Sequence, residues 1–200
     1  MKIIKNGIET QIEIERSKFI TYFYHVKSLE EAKEYQNQLR KEHPQAAHHC
    51  LAMVVDDLHY AHDDGEPSNT AGFPMLQTLL GNEINEVAAI VVRYFGGTLL
   101  GRGGLIRAYG SAVSHGLDHQ EFYVYQEVKI VKVTISYDLM SIIETKIEPK
   151  AFITRRDYSE KMIFHLDVID DSILDELVEM TNNQIHIEVI KTEKRLIPES

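Results

Sequence analysis

Cysteine is nearly absent: Cys50 stands alone in 200 residues. That excludes an intrachain disulfide framework and any CxxC zinc or redox site. Long apolar runs are missing as well, since no segment approaches the ~18 uncharged apolar residues that span a bilayer. The opening stretch MKIIKNGIETQIEIERSKF carries a charge every few positions and lacks the apolar core of a signal peptide. A cytosolic location with no membrane partner is therefore expected. Basic residues are in the minority, with 21 Lys+Arg against 31 Asp+Glu, a formal charge of −10. Strong non-specific attraction to nucleic acid needs a basic face, which this balance does not supply, although a local basic patch remains open. The deficit is even along the chain. Lys+Arg and Asp+Glu number 11 and 16 up to residue 126, then 10 and 15, so neither half is a basic arm or an acidic tail.

Hydrophobic residues make up 44% of the chain, ample for a core, and the length fits one or two domains. Periodicity reads QIEIER and SKFITYFYHV as strands. SLEEAKEYQNQLRKEHP reads as a helix with Ser28 as N-cap and Glu31 completing a capping box, stopped before Pro44. HHCLAMVVDD is a third strand and AHDDGEPSNTAG a polar loop. PMLQTLLG is a short helix, EVAAIVVRYF a strand buried on both faces, and about Leu105 to Leu117 a helix. After residue 126 the order is strand (YQEVKIVKVTISY), helix (DLMSIIETKIE, ended by Pro149), two strands (AFITRRDYS, EKMIFHLDVI), helix (DDSILDELVEMTNN, capped at Asp170 or Asp171) and strand (QIHIEVIKTEK). That β-α-β-β-α-β order is the ferredoxin-like one. The fold class expected is α+β, with domains at 1–126 and 127–200.

Arg93 to Gly110, RYFGGTLLGRGGLIRAYG, holds six of the eleven glycines directly behind the apolar run VAAIVV. A strand, a glycine-rich turn and a helix start together form a common anion-holding geometry. Gly96, Gly97, Gly101, Gly103 and Gly104 would let backbone amides converge. Arg93, Arg102 and Arg107 would add charge-assisted bonds to a phosphate. The established phosphate fingerprints fail, however. A P-loop needs Lys-Ser/Thr where Gly104-Leu105 stand, and GxGxxG begun at Gly101 needs glycine at Ile106. The alternative is that the glycines serve only tight turning and close strand–helix packing, while the arginines pair with the acidic loop.

The loop DDGEPSNTAG brings Asp63, Asp64 and Glu66 within four residues, followed by Ser68 and Thr70. Carboxylates this close repel unless a cation lies among them. The loop admits three roles: a hard-metal site, a general base in Asp63 or Asp64, or an ion-paired loop docked on the glycine turn to build one recognition surface. The third is favoured, because no EF-hand pattern and no nucleophile beside a base are evident. No metal or other cofactor is expected, and binding is favoured over catalysis. His48, His62 and Asp64 form a conceivable zinc set, but adjacent strand residues His48 and His49 point to opposite faces. Cys50 reads as a small buried hydrophobe. Tyr22, Phe23 and Tyr24 resemble a base-stacking platform, with core packing the favoured role.

DDGEPSNTAG followed by VVRYFGGTLLGRGGLIRAY, with RSKFI (Arg16–Ile20) and HHC (His48–Cys50) upstream, resembles the YigZ/IMPACT family. The likeness covers about residues 1–120, and the remainder is similar to the C-terminal domain of bacterial two-domain members. Asn69 departs from the pattern, standing where many members have glycine. The resemblance implies a first domain like the second domain of ribosomal protein S5, and a ferredoxin-like second domain like the last domain of elongation factor G. Both comparisons point towards RNA or the ribosome. Eukaryotic relatives act in translational control by competing for the activator of a starvation-responsive kinase, a partner that does not carry over to bacterial members. The expected function is thus a non-enzymatic translation or stress-related regulator, contacting RNA, the ribosome or a translation factor through the Gly/Arg loop. A protein–protein adaptor and an enzyme on a phosphorylated small molecule are the alternatives.

Overall fold

The run VAAIVV becomes the middle strand of a five-stranded antiparallel sheet and is buried on both faces. The computed structural model describes residues 1–148 and 150–199. The chain divides into two compact units, Met1–Val124 with the chain end from Pro198, and Tyr125–Ile197. The first unit runs β1 (Lys2–Ile4), β2 (Thr10–Ile14), β3 (Ser17–His25), α1 (Leu29–Glu42), β4 (His48–Val55), β5 (Leu58–His62), α2 (Gly72–Gly81), β6 (Ile84–Asn85), β7 (Val87–Tyr94), α3 (Gly101–Leu117) and the start of β8 (Phe122–Ile135). Strands β2, β3, β7, β4 and β5 lie in that spatial order. Apart from them, β1 pairs with β6 and with the first residues of β8.

Alternation along the strands supplies two cores. One face sets Ile20, Leu51, Met53, Ala88, Ile90 and Val92 against Ala32 and Leu39 of α1. The other sets Phe19, Phe23, Cys50, Ala52, Ala89 and Val91 against α2 and α3. Each large apolar side chain so buried contributes about 1.5–3 kcal/mol. Ser28 caps α1 as the sequence predicts, its Oγ accepting from the Glu31 amide at 3.2 Å. Glu31 reciprocates one residue early, accepting from the Lys27 amide at 2.8 Å. With both sheet faces covered, the Tyr22–Tyr24 run has no free platform: Phe23 enters one core and Tyr24 stacks on Tyr35 of α1 at 4.0 Å in the other.

Two further differences from the sequence expectation matter for the site. Helix α3 begins at Gly101, so Gly101, Gly103 and Gly104 form its first turn and not a separate loop. Strands β1, β5 and β6 are additional; they are short, and β5 is mostly exposed, so they leave little periodic signal.

In the second unit β8 continues into a short 3-10 turn (Tyr137–Leu139), then α4 (Met140–Lys146), β9 (Ala151–Tyr158), β10 (Met162–Val168), α5 (Ser172–Met180) and β11 (Ile185–Pro198). Its strands are ordered β9-β10-β8-β11. Val131, Val133, Phe164 and Leu166 meet Ile143 of α4 and Ile173 and Leu177 of α5 in one core. The start of α5 is held by Asp170, whose Oδ1 accepts from the Ser172 amide at 2.9 Å. The helix stop expected at Pro149 lies outside the described residues. Among the described residues, no helix is long and apolar enough to cross a membrane.

Two glycines of α3 give opposite expectations. A Cβ on Gly116 would lie 2.6 Å from the buried Phe23 ring, whereas one on Gly110 would meet only Thr78 Oγ1 at 3.6 Å. Gly116→Ala should therefore lower stability by about 1–3 kcal/mol. Gly110→Ala should raise it by up to about 1 kcal/mol through helix propensity. Urea unfolding midpoints check both, and equal midpoints for the two variants would refute the packing assignment.

Candidate functional site

Strand register places the chemistry. Phe19 of β3 and His48 of β4 both pair with Arg93 of β7, which sets the three on one row of the sheet face covered by α3. A guanidinium buried there needs a counter-charge, and the loop after β5 delivers Glu66. Its Oε1 accepts from Arg93 Nη1 at 2.5 Å and from the Tyr109 hydroxyl of α3 at 2.8 Å. The two charged side chains are only 6% and 4% exposed. Arg93 Nη2 donates to Ser17 Oγ at 3.3 Å, and the same hydroxyl oxygen accepts from the Gly96 amide at 3.1 Å. The guanidinium lies 5.4 Å from the Phe19 ring centre and 5.7 Å from that of Phe95. Loop, sheet, helix and glycine turn thus meet at one ion pair.

The two aspartates build the loop. Asp63 Oδ1 accepts from the amides of Ala71 and Gly72 at 3.0 and 2.9 Å, placing a carboxylate at the start of α2, where the helix dipole favours it. Its Oδ2 accepts from the Asn69 amide at 2.8 Å, and Asn69 itself adopts φ +60°. Asparagine tolerates that left-handed conformation better than most side-chain-bearing residues, which explains its use where a glycine is expected. Asp64 accepts from the His49 amide at 2.6 Å and from Arg40 Nη2 at 2.5 Å. Its carbonyl oxygen accepts from His48 Nδ1 at 2.8 Å. Thr70 is buried, its hydroxyl closing a turn onto the Pro67 carbonyl at 2.6 Å. Each carboxylate has protein donors of its own, and among the described residues no group of three His, Cys, Asp or Glu side chains could hold a metal ion. The zinc set does not assemble: His62 pairs with Leu51 and so lies on the opposite sheet face from His48.

Around the ion pair lies a cavity of about 530 Å³. His48, Glu66, Arg93 and Arg102 supply its polar wall, and Phe95, Leu99, Leu100 and Leu105 most of the rest. The acidic loop and the glycine turn therefore do border one concavity, joined by Arg102 Nη2 donating to the Ser68 carbonyl at 2.8 Å. The other predicted residues are distributed differently. Gly104 and Arg107 line a second depression of about 570 Å³ with Glu15, Thr98 and Ser111, and Leu99 and Leu100 border both hollows. Gly96 is a packing residue, since a Cβ there would sit 2.0 Å from the Arg16 carbonyl carbon. Gly97 and Gly101 take positive φ, +88° and +67°, and Gly103 is exposed on the first turn of α3. The three arginines do not converge: Arg93 is a buried, neutralised partner of Glu66, and Arg102 and Arg107 remain exposed on α3.

Sequence reasoning missed Phe95, Leu99 and Leu100 as lining residues, and nothing in their spacing marks them. Tyr109 was visible only as part of an apolar stripe. Burial, opposed by its bond to Tyr109, pushes the Cys50 thiol well above its usual range. The sulfur lies 3.0 Å from the Asp63 carbonyl oxygen and 3.4 Å from Tyr109 Oη.

The Impact N-terminal domain family model matches residues 15–117. IMPACT family member YvyE of Bacillus subtilis (strain 168) is 37% identical over 191 residues, 92% of this chain and 88% of that protein. IMPACT family member YigZ of Escherichia coli (strain K12) is 49% identical over 110 residues, 52% of this chain and 54% of that one. Among solved structures, one called "Crystal structure of an hypothetical protein" is similar with a TM-score of 0.60 and 32% identity, covering 95% of this chain and 97% of that one.

Two outcomes are expected. Glu66→Gln leaves Arg93 buried without a counter-charge and should cost about 3–5 kcal/mol in chemical denaturation, while adding Arg93→Met should recover part of that loss. A single-variant cost below about 1 kcal/mol would contradict the buried pair. Cys50 should resist iodoacetamide at pH 8 in the folded protein and react only after unfolding in denaturant. Rapid labelling without denaturant would contradict its protonated, enclosed state.

Proposed function

The chain belongs to the IMPACT family, and on that premise we propose that it is a non-enzymatic binding protein of translation or stress regulation that contacts RNA or the ribosome through the Gly/Arg segment. The observation that carries this reading is the start of α3. No side chain caps it, Leu100 occupying the N-cap position, and Arg102 and Arg107 stand exposed on its first two turns. Unfilled helix-start amides and guanidinium groups both favour phosphate. On a chain of net charge −10, such a restricted basic spot fits site-limited contact and not coating of nucleic acid. The carboxylates of Asp63 and Asp64 are engaged by backbone amides and Arg40, which favours binding over general-base chemistry. We also read the first unit as like the second domain of ribosomal protein S5. The second we read as a ferredoxin-like domain resembling the last domain of elongation factor G, supported by the strand order β9-β10-β8-β11. A division at residues 126 and 127 remains our working boundary between them.

A protein–protein adaptor is the second reading, favoured by Phe95, Leu99 and Ile106, which are 51%, 86% and 43% exposed around the same segment. Ribosome cosedimentation separates the two. The protein should pellet with ribosomes at ~50 mM salt and largely release at ~200 mM, and Arg102→Ala/Arg107→Ala should abolish pelleting without changing the melting temperature. No association at the lower salt would overturn the RNA or ribosome reading. Salt-independent association lost on Leu99→Asp would favour the adaptor.

A further inference from the structure

We infer that the cavity between the acidic loop and α3 holds a single nucleotide, its phosphate at Arg102 and its planar base against Phe95, an assignment that rests on the RNA reading above. The volume, about 530 Å³, lies within the ~300–1,000 Å³ usual for small-molecule sites. Its charge pattern suits one phosphate. Arg93 and Glu66 cancel each other, so Arg102 supplies the uncompensated positive charge of the wall. Arg102 uses Nη2 on the Ser68 carbonyl, and a guanidinium has five N–H donors, so it can hold the loop and an anion together. A duplex or an extended backbone would call for a basic stripe instead.

The remaining wall suits a base. Phe95 is 51% exposed on the cavity side of the Arg93 guanidinium, a ring whose surface accepts stacking whatever the base. Leu99, Leu100, Leu105 and Pro67 add apolar surface that a bare phosphate would not use. Hydrogen-bonding capacity also remains among the wall residues. His48 Nδ1 donates to the Asp64 carbonyl, which can only accept, and Nε2 lies 3.7 Å from Glu66 in a side chain that lines the cavity. A ring nitrogen and a guanidinium on an otherwise largely apolar wall are features that can read a base edge and seat a phosphate.

The test titrates the full chain, followed by amide NMR, with AMP, UMP, adenosine, inorganic phosphate and a 5′-phosphorylated RNA tetramer. AMP or UMP should shift the amides of Gly101–Leu105, and adenosine and phosphate alone should each bind at least about tenfold more weakly. Arg102→Ala should weaken the mononucleotide about tenfold or more and leave adenosine unchanged, and Phe95→Ala should weaken both. Both side chains are exposed, so an unchanged melting temperature verifies the fold. A tetramer that binds more tightly than AMP and is displaced by it identifies an RNA terminus as the source, whereas a tetramer that fails to bind identifies the free nucleotide. No shift with any nucleotide, or affinities unchanged in both variants, overturns the assignment. Ribosome association without any nucleotide shift overturns the assignment and spares the ribosome reading, and nucleotide binding without ribosome association does the reverse.

Discussion

A carboxylate and a guanidinium taken out of water cost several kcal/mol each unless they meet in good geometry and their remaining hydrogen-bonding groups are served. Glu66 and Arg93 meet at 2.5 Å, with Tyr109 and Ser17 as further partners, and everything around the candidate site depends on that contact. It fixes three things at once. The loop is pinned to the sheet by its one deeply buried acid, α3 is tied in through Tyr109, and the glycine turn is anchored because Ser17 serves both Arg93 and the Gly96 amide. Tyr109 also packs edge-on to Phe19 at 5.2 Å, so the polar network and the apolar core share a member.

The acidic loop shows how clustered charge can be wholly architectural. Asp63 stands in for an N-cap that Ala71 cannot provide, Asp64 clips α1 to β4 through Arg40 and the His49 amide, and Glu66 closes the ion pair. Repulsion between neighbouring carboxylates falls when each faces its own donors in a different direction. What is left over for a ligand at this cavity is the Arg102 guanidinium, a helix start without a side-chain cap and a largely apolar wall.

Much of the scaffold was legible in the sequence because it obeys short-range rules. The Ser28 cap, the period-2 strands and the doubly buried VAAIVV run follow from local propensity and patterning. The short strands β1, β5 and β6 escaped because three or so residues carry no period, and β5 faces solvent. The start of α3 differs from the expectation because glycine disfavours helix interiors, yet Gly101 and Gly103 stand exposed in the first turn and a Cβ on Gly104 would lie 3.0 Å from that of Leu100. The site was half legible. That the two loops matter could be read from composition, but the pairing of Arg93 with Glu66 depends on the register of β3, β7 and β4, which no local spacing encodes. Of the two roles the sequence leaves open for Arg93, anion contact or a partner for the acidic loop, the structure shows it paired with Glu66.

Leu99 and Leu100 belong to the walls of both hollows beside α3. A substitution at either leucine therefore alters the lining of both hollows. The short span that carries them is flanked by glycines in left-handed backbone at 97 and 101. The side chains at 99 and 100 therefore help to shape both the hollow beside Glu66 and the one that Arg107 borders.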